Sequence, residues 1–163
     1  QMEHNTPTLA YSFIEKDSLR IDKDKLKKLN LPKSPKLKEL KLGKNIVING
    51  KKVEAKKMTY LQKGKKISIV LDTKTNSKII NFVRDSDLLI CESTYLNEEE
   101  LAEKYLHMTV KQACEIAKKS KVKKLILVHF SQKYDLKEKI LLKEARKTFK
   151  DSFLGEDLMS LTI

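Results

Sequence analysis

Three apolar runs in the second half of the chain each end in a polar residue. Ile67-Ser68-Ile69-Val70-Leu71 leads into Asp72, Leu88-Leu89-Ile90-Cys91 into Glu92, and Leu125-Ile126-Leu127-Val128 into His129. Short apolar runs bounded by turn residues read as strands buried on both faces. Helical spacing fills the intervals. Residues 77–83 form one helix, and residues 97–106 another, with Asn97 as N-cap and Glu98, Glu99 and Glu100 in a first turn where carboxylates favour the dipole. A third places Val110, Ala113, Cys114 and Ala117 on one face, and a last helix over 136–149 turns Ile140 and Phe149 inward. Strand–helix alternation implies crossover connections, which bring the polar strand ends to one edge of a sheet, where α/β proteins place reactive groups.

The first half reads differently. Residues 9–14 alternate around Tyr11 and Phe13 as a strand. Lysines then crowd residues 15–43, broken by Pro32 and Pro35, and Leu26, Leu29, Leu37, Leu40 and Leu42 are too sparse for a core. A short helix over 22–29, a Pro-Lys-Ser-Pro turn and a helical piece ending at Gly43 are expected to protrude as an arm. Ile46-Val47-Ile48, the Asn49-Gly50 signal and Val53 predict a β-hairpin.

Composition narrows the partners. The 163 residues carry a net charge of +13, which favours a polyanion, although a lysine-rich surface explains charge alone equally well. No apolar run reaches membrane-span length, and no signal peptide is evident. Cys91 and Cys114 lack CxxC spacing and sit in apolar patterns, so reduced thiols in a cytoplasmic protein are expected.

Chemistry concentrates at the strand ends. Asp72 and His129 suit a metal site, because a carboxylate bridges divalent ions and a neutral imidazole suits zinc. Each alone is more often structural: Asp72 as a helix cap or turn residue, His129 as a hydrogen-bonded core histidine. Glu92 and His107 make an acid pair, with the carboxylate orienting an imidazole that protonates a leaving group; the plainer alternative has His107 capping the helix near Thr109. His4, near a terminus, carries less weight alone.

These segments together resemble the C-terminal half of ribonuclease Z, the tRNA 3′-processing endonuclease of the metallo-β-lactamase fold. His4-Asn5-Thr6-Pro7 with the strand after it is similar to that family's isolated ligand histidine. Val70-Leu71-Asp72-Thr73 is similar to its Gly-Asp-Thr motif, Cys91-Glu92-Ser93-Thr94-Tyr95 to His-Glu-Ala-Thr-Phe, and His107-Met108-Thr109 to His-Ser-Thr. Val128-His129-Phe130-Ser131 with Tyr134 resembles the His-Ile-Ser-x-Arg-Tyr end. Departures include Leu71 for glycine, Cys91 for histidine, Met108 for serine and Lys133 for arginine, and Ser34-Pro35 stands for the arm's Gly-Pro.

The resemblance implies an α/β fold: half of an αβ/βα sandwich over residues 1–163, a mixed sheet with helices on its outer face, plus a basic arm at 15–43. It implies zinc held by His4, Asp72 and His129, and catalysis by His107 with Glu92. Lys23, Lys25, Lys27, Lys28, Lys33, Lys36 and Lys38 of the arm would grip precursor tRNA. The family's His-x-His-x-Asp-His motif is absent from this sequence. The chain is therefore expected to be a fragment, weakly zinc-binding or metal-free and inactive alone, lacking an amino-terminal half; the complete enzyme is expected to be a homodimer. Two rival expectations are another metallo-β-lactamase-fold hydrolase acting on a small ester or lactam, and a non-catalytic RNA-binding module derived from the enzyme.

Overall fold

Each of the three apolar runs forms a strand in the computed structural model, which describes residues 1–30 and 34–163. The chain divides into two units, one of Gln1–Ile14 with Lys65–Ile163, the other of Glu15–Gly64. The first unit begins with β1 (Tyr11–Ile14). The second unit follows in chain order with β2 (Ser18–Ile21), α1 (Lys23–Lys28), α2 (Leu37–Leu40), β3 (Ile46–Ile48), β4 (Lys51–Val53), α3 (Ala55–Met58) and β5 (Thr59–Gln62). The first unit then resumes with β6 (Lys66–Val70), α4 (Ser77–Phe82), β7 (Leu88–Glu92), α5 (Glu99–Tyr105) and α6 (Val110–Lys119). It closes with β8 (Lys124–Val128), α7 (Glu138–Thr148) and β9 (Ser152–Leu154).

In the first unit the sheet order is β1-β6-β7-β8-β9, with β6 to β9 parallel and β1 antiparallel on the edge. Helix α6 packs against α4, α7, β7 and β8. Val70, Leu89, Cys91, Leu125 and Leu127 from the strands meet Ile79, Ala113, Cys114, Ala117, Leu141 and Ala145 from the helices in one buried cluster. Strand residues of the other parity face away from that cluster. Ile69, Ile90, Ile126 and Phe153 stand in register across the sheet, with Tyr11 63% exposed at its edge. A sheet apolar on both faces with helices on one is the half-sandwich that the sequence implies.

Two local expectations change. Glu98, not Asn97, precedes the first turn of α5, because its carboxylate is drawn to Lys133 and Tyr134. Helix α7 turns Leu141 and Ala145 inward, four residues apart, which leaves Ile140 51% exposed on a neighbouring face. Strand β9, with three residues, is too short for its periodicity to register. Its follower Gly155 donates its N–H to the Leu127 carbonyl at 2.8 Å, and an added Cβ would press on Val128 Cγ1 and Ile126 Cγ2. Gly155→Ala should therefore cost about 1–3 kcal/mol of stability, read as a lower urea midpoint.

The second unit has a small core of its own. Leu40, Ile46, Ile48, Val53 and Ala55 are buried together, with Ile21, Leu37 and Met58 against them. The expected arm ended at Gly43; the compact unit runs to Gly64 because the β3–β4 hairpin supplies the apolar surface that residues 15–43 lack. Asn49 and Gly50 both adopt positive φ, 48° and 73°, as a tight turn matching strand twist requires. Strands β2 and β5 pair antiparallel, a pairing hidden by their lysine-rich surroundings. Lys23, Lys25, Lys27, Lys28, Lys36 and Lys38 are exposed, while Pro32 and Lys33 lie outside the described residues. Among the described residues no helix is long and apolar enough to cross a membrane.

Candidate metal centre

The parallel strands β6, β7 and β8 end side by side, so the residues at their C-terminal ends converge. Glu92 closes β7, Asp72 follows β6 after Leu71, and His129 directly follows β8. Asp72 and His129 both take left-handed backbone, with φ of 47° and 61°. Non-glycine residues adopt this region at a cost of about 1–2 kcal/mol, and such strain gathers at functional sites. The turns aim the two side chains at each other, Asp72 Oδ1 lying 3.3 Å from His129 Nε2.

Glu92 is the centre of the arrangement. It is 0% exposed, and its carboxylate accepts the backbone N–H of Thr73, the N–H of Met108 at 3.0 Å and the hydroxyl of Thr94 at 2.9 Å. His107 Nδ1 lies 3.1 Å from both of its oxygens. An ionised carboxylate accepts only, so that imidazole carries its proton on Nδ1. One buried charge thus ties together the loop after β6, the end of β7 and the segment between α5 and α6.

His107 reaches this point through a specific chain reversal. Leu106 takes left-handed backbone, φ 57°, which stops α5, and the His107 N–H returns to the Ala102 carbonyl at 2.8 Å. Tyr95 then pairs with the incoming strand through Tyr95 N–H to Met108 O and Val110 N–H to Tyr95 O. Thr109 caps α6 in a capping box with Gln112, so His107 is free of the capping role that the plainer reading gave it. Asn76 likewise caps α4, which leaves Asp72 free of that task.

His4 arrives from the amino-terminal segment. The Glu3 N–H donates to Thr73 Oγ1 at 3.0 Å, and the Lys74 N–H donates to the Glu3 carbonyl. The His4 ring centroid lies 5.1 Å from that of His107, which is 5.2 Å from that of His129. The three histidines therefore form one row. Asp72, His107 and His129 each offer a ligand atom within 4.8 Å of the others, and His4 stands just outside that group. Nitrogen and oxygen donors of this kind suit a divalent transition metal. The facing Asp72 and His129 acceptors fit a cation between them, so the donor set is compatible with the metal that the sequence implies.

A second cluster braces the site from below. Tyr134 donates its hydroxyl to Glu98 at 2.6 Å and accepts the Leu96 N–H at 2.8 Å, and Lys133 pairs with the same Glu98. The Ser131 N–H bonds to the Thr94 carbonyl, so the loop carrying His129 is joined to the loop leaving Glu92. Burial alone would raise the Glu98 carboxyl; hydrogen bonds from Lys133, Tyr134 and the Asn97 amide outweigh it and bring it down to about 2. A carboxylate held below its ordinary 4.5 contributes stability above that pH and loses it as pH falls towards 2. Glu98→Gln should cost about 1 kcal/mol at neutral pH, discounted because the pair is 34–40% exposed, and only a small part of that at pH 2. Thermal melts at the two pH values check this.

Neither cysteine competes for metal. Both are free and buried; burial pushes the Cys91 thiol well up and the Cys114 thiol to about 11. Thr73 and Thr94, quoted in the sequence only as parts of motifs, turn out to hold His4's segment, Glu92 and His129 together. Their signal is position: each lies one or two residues after a polar strand end.

The architecture is that of a metallo-β-lactamase fold. The solved metallo-β-lactamase fold protein YhfI from Bacillus subtilis matches with a TM-score of 0.51 at 23% identity, over 59% of this chain and 39% of that one. No protein-family model matches the chain. Its sequence is 41% identical over 132 residues to the ribonuclease Z of Nanoarchaeum equitans, covering 80% of this chain and 42% of the relative. It is 35% identical over 168 residues to the ribonuclease Z of Borrelia recurrentis, covering 99% of this chain and 53% of the relative. The chain belongs to the ribonuclease Z family and spans about half the length of the curated relatives it matches.

Proposed function

We propose that this chain forms the carboxyl-terminal half of a zinc-dependent endoribonuclease that removes the 3′ trailer from precursor tRNA. The observation that carries the reading is the buried carboxylate of Glu92 gathering the segments of Asp72, His107 and His129 at one sheet edge. Asp72 and His129 would hold zinc, with His4 brought alongside by the Glu3–Thr73 bond. Bound there, the metal supplies Lewis-acid polarisation of a phosphodiester and activation of water. In its doubly protonated form His107, held through Nδ1–H by Glu92, would pass its Nε2 proton to the departing oxygen and be left as the neutral Nδ1–H ring. Residues outside this chain, of the His-x-His-x-Asp-His kind, would complete the ligand set. The two buried free thiols suit a reducing, cytoplasmic setting, and the assembled enzyme would be a homodimer.

The test supplies the chain with a ribonuclease Z amino-terminal half and assays precursor tRNA with zinc. Trailer removal at the discriminator nucleotide, lost in Asp72→Ala, is expected. No cleavage under conditions where a known ribonuclease Z works would overturn the reading.

The second unit would bind the tRNA body through the exposed lysines on and around α1 and α2. It is inserted between β1 and β6, where Ile14 pairs with Lys66, so an Asn-Gly turn should replace Glu15–Lys65 without disturbing the sheet. In the complemented enzyme this replacement should weaken tRNA binding and lower the slope of log affinity against log salt by about 3–6, at roughly 0.7–0.9 for each phosphate that the lysines no longer neutralise. A hydrolase of small esters or lactams would show no such change.

A further inference from the structure

We infer that Thr94 is a positioning residue that relays the buried charge of Glu92 to His129, holding that imidazole as its Nδ1–H tautomer and leaving Nε2 bare beside Asp72. The inference rests on the proposed metal-dependent site, but it concerns a proton that is located without any activity.

Counting the protons decides the tautomer. A threonine hydroxyl has one hydrogen to give and lone pairs to receive. Thr94 Oγ1 lies 2.9 Å from Glu92 Oε2 and 2.9 Å from His129 Nδ1. Glu92, surrounded by donors from Thr73, Met108 and His107, accepts only. The hydroxyl hydrogen therefore points to Glu92, because any other choice sets two oxygen lone pairs face to face in a site where Thr94 is 7% and Glu92 0% exposed. Thr94 Oγ1 then receives from His129, whose Nδ1 must carry the hydrogen. In the neutral ring Nε2 is left bare, 3.3 Å from Asp72 Oδ1.

Asp72 pulls the other way, since an Nε2–H would donate to its carboxylate. That carboxylate is 42% exposed and lies at 3.3 Å, whereas Thr94 is 7% exposed and its contact with the part-exposed His129 ring is shorter, 2.9 Å. The relay should win. His107 is set identically by direct contact with Glu92, so one carboxylate gives both rings the same orientation of donor and lone pair. Ligating histidines depend on such partners for tautomer and aim.

The experiment finds the hydrogen. In the 15N-labelled, metal-free chain at a pH where the rings are neutral, long-range proton–nitrogen spectra separate protonated from bare ring nitrogens. Wild type should show His129 as Nδ1–H. Thr94→Val keeps the shape and removes the relay, so the hydrogen should move to Nε2, facing Asp72; Thr94→Ser should restore Nδ1–H. In the complemented enzyme, Thr94→Val should also lower zinc affinity about 10–100-fold, with rescue by serine. A side chain that only fills space would change stability and leave the tautomer alone. Wild-type His129 as Nε2–H, or a folded Thr94→Val with Nδ1–H retained, would overturn the inference. Should Thr94→Val not fold, the wild-type spectrum decides by itself. A tautomer that moves as expected in an assembly that cleaves no tRNA would sink the proposed function and leave the relay standing.

Discussion

Glu92→Leu should cost about 3–5 kcal/mol and take the whole strand-end cluster with it, the largest stability effect expected of any single substitution in the first unit. The carboxylate is fully buried and receives the Thr73 and Met108 N–H groups, the Thr94 hydroxyl and His107. Leucine fills the space and satisfies none of them, so each buried donor keeps its desolvation penalty of about 1–3 kcal/mol unless the loops move to find water. Movement is the expected response. It would carry Asp72, one residue from Thr73, and His129, bonded to Thr94, away from each other. Chemical denaturation measures the loss, and the ring-nitrogen signals of His107 and His129 should shift together. Glu92→Gln is gentler in volume but brings an amide hydrogen against a donor, so it should fall between wild type and leucine.

His107→Ala should lower trailer removal by the complemented enzyme about 10²–10⁴-fold while leaving its metal content unchanged. This separates two roles that the geometry leaves adjacent. His107 lies within ligand distance of Asp72 and His129, yet its Nδ1 is committed to a buried carboxylate and its side chain is 16% exposed. If it is the proton donor, metal stays and the rate falls, most steeply for leaving groups of high basicity. If it is a ligand, metal is lost with the rate. His4→Ala makes the complementary measurement: loss of metal there assigns His4 to the ligand set, beside a ring 5.1 Å away. Metal analysis of the two purified variants reads both.

The site was more legible than the arm. Polar residues at the ends of buried parallel strands converge for topological reasons, so Asp72, Glu92 and His129 were recoverable from the pattern of apolar runs alone. His107 was legible as a partner for the Glu92 carboxylate, but a residue between two helices has no periodicity to fix where it stands. Thr94 and the left-handed turns at Asp72 and His129 were hidden: a hydroxyl relay and a backbone φ leave no mark on hydropathy. The compact second unit extends beyond the lysine-rich 15–43 stretch to Gly64, because lysines conceal the β2–β5 pairing and the hairpin after Gly43 completes its core. The start of α5 lies one residue beyond Asn97, where Lys133 and Tyr134 draw in Glu98, and the inward face of α7 is Leu141 with Ala145, one position from Ile140.

If the ends of β6, β7 and β8 build half of a nitrogen- and oxygen-ligated metal site, the bound ion itself should report those donors. Cadmium-113 resonance of the complemented chain, with cadmium replacing zinc, tests this most directly because the shift depends on the donor elements. Signals in the nitrogen and oxygen range that change in Asp72→Ala and in His129→Ala are expected. Signals in the thiolate range, or signals indifferent to both substitutions, would contradict it.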